Sequence, residues 1–171
     1  MGIIETAATL AIRQLAAADR GAILDHLLAL NRDDRYGRFA SALSDHAIAG
    51  YVARLQFERD AGFGIVGEDR RLLGFLHLAI HAPTGEIGAS VLPECRRRGL
   101  ARRLFAAGFV LARQRGVEHI HLATGHPAAL RICAALGNPV QLRPTAPRAI
   151  VDLNTYAIFA SASHQHWQGA A

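Results

Sequence analysis

A chain of 171 residues, 51% apolar and 19% charged, can bury one domain core, which excludes a disordered polyelectrolyte. Its net charge is +5, but acidic residues are interspersed with the basic ones, so charge alone does not imply a polyanion partner. No apolar run approaches the ~18 residues of a membrane span, the N-terminus has no basic segment followed by an apolar one, and two cysteines are too few for a disulfide framework or a zinc site; the expectation is a cytoplasmic protein with reduced thiols and no membrane partner.

Residues 10–15 suit a first strand. Asp19 stands where a helix N-cap belongs, and Ala22, Ile23, His26, Leu27 and Leu30 then recur at helical spacing. The stretch "NRDDRYGRFASALSD" reads as a polar connection. Ser44 or Asp45 caps a second helix with Ile48, Tyr51, Val52 and Leu55 on one side. Residues 63–66 and 72–80 are apolar runs separated by "GEDRR", the signature of an antiparallel hairpin. Gly85 restarts the chain into a strand over 86–91.

A helix follows over 100–115. Leu100, Leu104, Gly108 and Leu111 form its apolar stripe, and Gly116 is its stop. Residues 117–124 predict another strand, and Pro127 opens a short helix that ends at Leu136, before Gly137 and Asn138. Two final strands, 140–143 and 149–153, flank "PTAP". The order β-α-α-β-β-β-α-β-α-β-β predicts one mixed α/β (α+β) domain over 1–154, with 155–171 as a C-terminal extension or tail.

The chemistry concentrates in "VLPECRRRGLARRLF", residues 91–105. A strand ends at Val91, a turn carries Pro93 and three arginines, and a helix starts near Gly99. The first N–H groups of a helix have no internal partner, and with the helix dipole they form an anion site. Gly99 permits close backbone approach there, and Ala101 keeps the next turn small. All 19 basic residues are arginine, since the chain has no lysine, and arginine suits planar contact with phosphate.

"R-R-R-G-L-A" resembles the coenzyme A signature [Q/R]-x-x-G-x-[G/A] of the GNAT superfamily of acyl-CoA N-acyltransferases, with Arg96, Gly99 and Ala101 at its defined positions. The preceding strand "EIGASV", Pro93 and the following helix support the match, which is good over about 63–137. The resemblance implies a central, mostly antiparallel sheet with a splayed parallel strand pair, flanked by helices. It implies acetyl-CoA as acyl donor, without a metal, and a primary amine as acceptor: a small molecule, a protein lysine or an N-terminus. The amides of Arg97, Arg98, Gly99, Leu100, Ala101 and Arg102 would then wrap the pyrophosphate, with Arg102 or Arg103 reaching towards the ribose phosphate. Backbone groups of Ala89, Ser90 and Val91 would pair with the pantetheine arm, and an N–H there would polarise the thioester carbonyl. A homodimer is compatible with it.

Glu86 matches the position of a glutamate that acts in some members as general base, usually through water; it also reads as an exposed carboxylate at the start of a strand. Cys133 falls where a tyrosine acid is usual, with His126 in place of an asparagine. A thiol there could donate a proton, and a small buried packing residue is the other reading. Tyr36, Tyr51 and Tyr156 are further candidates for the acid, or the thiolate leaves without one.

His119 and His121 share one strand face, and His77 and His81 another, but nothing nearby completes a metal-ligand set. "GFGIVG" fits G-x-G-x-x-G yet straddles a strand and precedes a hairpin, so it is not a dinucleotide loop. Two other functions compete with catalysis. The missing tyrosine allows a catalytically reduced acyl-CoA-binding sensor or interaction module. Nucleic-acid binding is disfavoured, because no second basic stripe and no interleaved aromatics accompany the arginines.

Overall fold

The computed structural model describes residues 10–123, 126–142 and 149–154. The expectation of a tail over 155–171, and the candidate Tyr156, lie outside the described residues. Seven strands, β1 (Ile12–Leu15), β2 (Ala61–Val66), β3 (Leu72–His81), β4 (Thr84–Val91), β5 (His119–Leu122), β6 (Val140–Leu142) and β7 (Ala149–Asp152), form one sheet in the order β1-β2-β3-β4-β5-β7-β6. Every neighbouring pair is antiparallel except β4 with β5.

The strand pleat sorts side chains between two layers. On one face lie Leu76 and Leu78 of β3 and Ile87 of β4, all buried. Against them packs α4 (Leu100–Gln114), through Leu104, Phe105 and Phe109, with α5 (Pro127–Ala135) beside it. The other face carries Phe75, His77, Gly88 and Ser90. It is covered by α1 (Arg20–Leu28), α2 (Arg32–Phe39) and α3 (Asp45–Ala53), which bring Ile23, Leu27 and Ile48 into the core.

The element order matches the expected one except for α2, which lies inside the stretch read as a polar connection. Its start is encoded locally: Asn31 accepts the Asp34 N–H at 2.9 Å, and Asp33 and Asp34 fill the first turn. What it lacks is an apolar stripe, and its one buried residue is Arg38. Asp19 also differs from expectation. Its carboxylate makes no cap to α1; it accepts the Ala16 N–H at 2.8 Å and pairs with Arg13.

Candidate active site

The site starts where β4 and β5 part. Their parallel pairing runs from Thr84↔His119 to Ile87↔Leu122 and stops. β4 continues to Val91, still paired on its other edge with β3 as far as Gly74↔Val91. From Gly88 to Val91 the edge facing β5 therefore has no strand partner. A cleft of about 470 Å³ occupies the gap, within the usual range for small-molecule sites.

At its upper end, Pro93–Cys95 makes one turn of 3-10 helix. The loop then passes through Arg97 at φ 59° and Gly99 at φ 74°, both left-handed. A Cβ at Gly99 would meet no protein atom within 4 Å, so backbone conformation rather than crowding favours glycine there. Gly99 also stands at the N-cap of α4 and has no side chain to satisfy that helix's first N–H groups. No acidic residue lies in the first turn. The free amide ends of a 15-residue helix thus border the cleft together with the loop.

Arg96 locks this loop in place. Its Nε donates to the Val91 carbonyl at 3.1 Å, and its Nη2 pairs with Asp34 Oδ1 of α2 at 2.6 Å. Arg103 turns away instead and donates to the Leu10 carbonyl, so of the two arginines expected near a ribose phosphate only Arg102 lines the cleft. Across the mouth, His126 caps α5 by accepting the Ala128 N–H at 3.2 Å. Its ring lies against α2, where a Cβ on Gly37 would come within 3.3 Å of Cδ2.

The floor on the α1–α3 side is polar. Arg38, 7% exposed, lies against Gly88: a Cβ built there would sit 1.6 Å from Nη1. Arg38 Nη2 donates to the Tyr51 hydroxyl at 3.0 Å. That hydroxyl donates on to His77 Nδ1 at 2.8 Å, and His77 Nε2 lies 3.4 Å from Asp60 Oδ2. Next along the sheet, His26 Nδ1 donates to the Leu72 carbonyl at 2.8 Å, leaving Nε2 to accept from Ser90 Oγ at 2.8 Å. Burial, with the Arg38 charge adding to it, holds both rings near pKa 4, so each is neutral at physiological pH.

Of the residues expected from sequence, Ala89, Ser90, Val91, Arg96, Arg97, Gly99, Leu100, Ala101 and Arg102 line this cleft, and Arg98 does not. Glu86 is exposed on β4, outside the lining, and shares its sheet face with Gly88. It pairs in register with His121 of β5. Cys133 is fully buried behind the cleft wall formed by Ala129 and Ile132, and burial pushes its thiol up to about 12. A buried thiol raised this far fits the packing reading of Cys133 better than the acid reading. Tyr36 is 58% exposed on α2, away from the lining. Among the described residues, no group of three or more His, Cys, Asp or Glu is placed to hold a metal ion, and no helix is long and apolar enough to cross a membrane.

Sequence reasoning missed Arg38 and Gly88. The available signal was Asn31 followed by two acidic residues, a helix start that places Asp34 and Arg38 one turn apart.

Residues 11–137 match the family described as the acetyltransferase (GNAT) family. A search of curated protein sequences found no match. Solved structures share the fold at low identity. The GNAT domain of S. lividans PAT is 14% identical with a TM-score of 0.66, covering 82% of this chain and 87% of that one. The PaiA N-acetyltransferase from Thermoplasma acidophilum, in complex with coenzyme A, is 16% identical with a TM-score of 0.60, over 84% and 98%. The phosphinothricin acetyltransferase from Sinorhizobium meliloti, in complex with AcCoA, is 16% identical with a TM-score of 0.61, over 84% and 85%.

Proposed function

The chain belongs to the GNAT acetyltransferase family, and from that premise we propose that it transfers an acetyl group from acetyl-CoA to a primary amine by direct attack within a ternary complex. One observation carries the donor assignment. The uncapped N-terminus of α4, reached through left-handed Gly99, opens on a cleft whose other wall is the unpaired edge of β4. The first is suited to a pyrophosphate and the second to the amides of a pantetheine arm. The coenzyme A and AcCoA complexes of two proteins of the same fold support this donor.

In this reading, the amides of Leu100, Ala101 and Arg102 hold the pyrophosphate, with Arg97 and Arg98 in the loop that shapes its site. The backbone of Ala89, Ser90 and Val91 pairs with the pantetheine arm, and one of its N–H groups polarises the thioester carbonyl. The amine nitrogen attacks the carbonyl carbon, the C–S bond breaks, and the electron pair leaves on sulfur as the coenzyme A thiolate. Glu86, on the acceptor side of the sheet, takes the amine proton through water. A thiol of ordinary pKa, ~8.5, departs as thiolate near neutral pH without a strong acid, which leaves no role for Cys133.

Following free-thiol release from acetyl-CoA with a panel of amines tests the reading. Amine-dependent release, reduced at least tenfold by Glu86→Gln, is expected. The burial of Cys133, with no tyrosine in its place, favours a second reading as an acyl-CoA-binding sensor. That reading predicts tight binding of the thioester with no amine-dependent release.

A further inference from the structure

Arg38 carries a charge that the described residues do not neutralise. The residue is 7% exposed and lines the cleft, yet no carboxylate among them pairs with its guanidinium. Among the described residues its one hydrogen bond is to the Tyr51 hydroxyl, and its buried Nε meets no partner. The rings of Phe39, Tyr51 and Phe75, at 4.8, 5.7 and 5.8 Å, fix the plane of the fork. Gly88 leaves room for Nη1 where any side chain would collide with it. Desolvating a guanidinium without a counter-charge is costly, and a rigid fork with spare N–H groups suits a carboxylate.

The donor does not supply that anion. Its phosphates are assigned to the loop and helix end beyond Val91, three residues along β4 from Gly88, or about 10 Å at the rise of a strand. The pantetheine arm between is neutral. We infer that Arg38 binds a carboxylate on the acceptor, so that the acceptor class is an amine that also bears a carboxylate, such as an amino acid. This inference rests on the acetyl-transfer reading for the amine; the carboxylate comes from Arg38 alone.

Calorimetric titration of the full chain provides the test. Coenzyme A is added first; N-acetyl-α-amino acids and their uncharged amides are then titrated into the loaded protein as product-like probes. One or more acids is expected to bind, its amide about 30-fold more weakly, and Arg38→Gln should bring the acid down to the level of the amide. Arg38→Lys, which keeps the charge and guards against a folding artefact, should retain part of the preference. If no acid binds, if acid and amide bind alike, or if Arg38→Gln weakens both equally, the inference is overturned, and Arg38 then serves the oxyanion or the fold. Failure of coenzyme A itself to bind contradicts the acetyl-transfer reading, and this inference with it. Coenzyme A binding with no preference for acids contradicts this inference alone.

Discussion

Two imidazoles under the cleft carry a measurable signature. His26 and His77 are held near 4 in the folded protein against an ordinary 6.5, chiefly by desolvation. A lowered histidine means that the unfolded chain binds the proton first. Their contribution is complete above about pH 6.5 and is lost as pH falls towards about 4. At ~2.5 pH units each, it amounts to roughly 3 kcal/mol per ring at most. Urea unfolding across that window should show stability falling before the carboxylates titrate, and a flat profile would contradict the burial. Tyr51→Phe removes the hydroxyl shared by Arg38 and His77 and should cost about 1–3 kcal/mol of stability. Cys133→Ala should leave turnover unchanged; loss of turnover without loss of fold would return the thiol to the mechanism.

At the scale of elements, α2 depends on Arg35. Its Nε donates to the Leu30 carbonyl, Nη2 to Leu28, and Nη1 to Leu43 and to Asp45, so one side chain ties the end of α1 to the start of α3. Arg35→Met should destabilise the protein by about 2–4 kcal/mol in chemical denaturation, because several carbonyls lose their donor together. A loss under about 0.5 kcal/mol would contradict that role. The same use of arginine explains why the strands and most helices could be read from periodicity, whereas α2 could not. Its contacts are made by guanidinium groups and aromatic rings, which hydrophobic patterning does not register. Arg20 reaches the Val52 and Leu55 carbonyls in the same manner, and Arg103 that of Leu10. Arginines outside the loop thus also serve the fold, by donating to backbone carbonyls. The loop proposed to hold the donor was readable because its signal is local: Pro93, Gly99 and a helix start within a few residues. The Arg38 side of the cleft was not, because Arg38, Gly88 and Tyr51 come from three elements that only the sheet brings together.

For the whole molecule, one discontinuity in the sheet organises everything else. β4 runs four residues past the end of β5, α4 starts at the top of the opening, and α2 and α5 meet across its mouth at Gly37 and His126. Under the proposed function the two layers have separate tasks: the α4 side presents backbone amides to the donor, and the α1–α3 side presents Arg38 to the acceptor. The most direct test of this division is calorimetric titration of acetyl-CoA into wild type and into Gly99→Glu. That substitution places a carboxylate at the helix end where the pyrophosphate is assigned, in space the protein leaves open. One-to-one binding by wild type, weakened about 100-fold or more in the variant while the circular dichroism spectrum persists, is the predicted result. Equal affinity of the two proteins would contradict the assignment of the cleft.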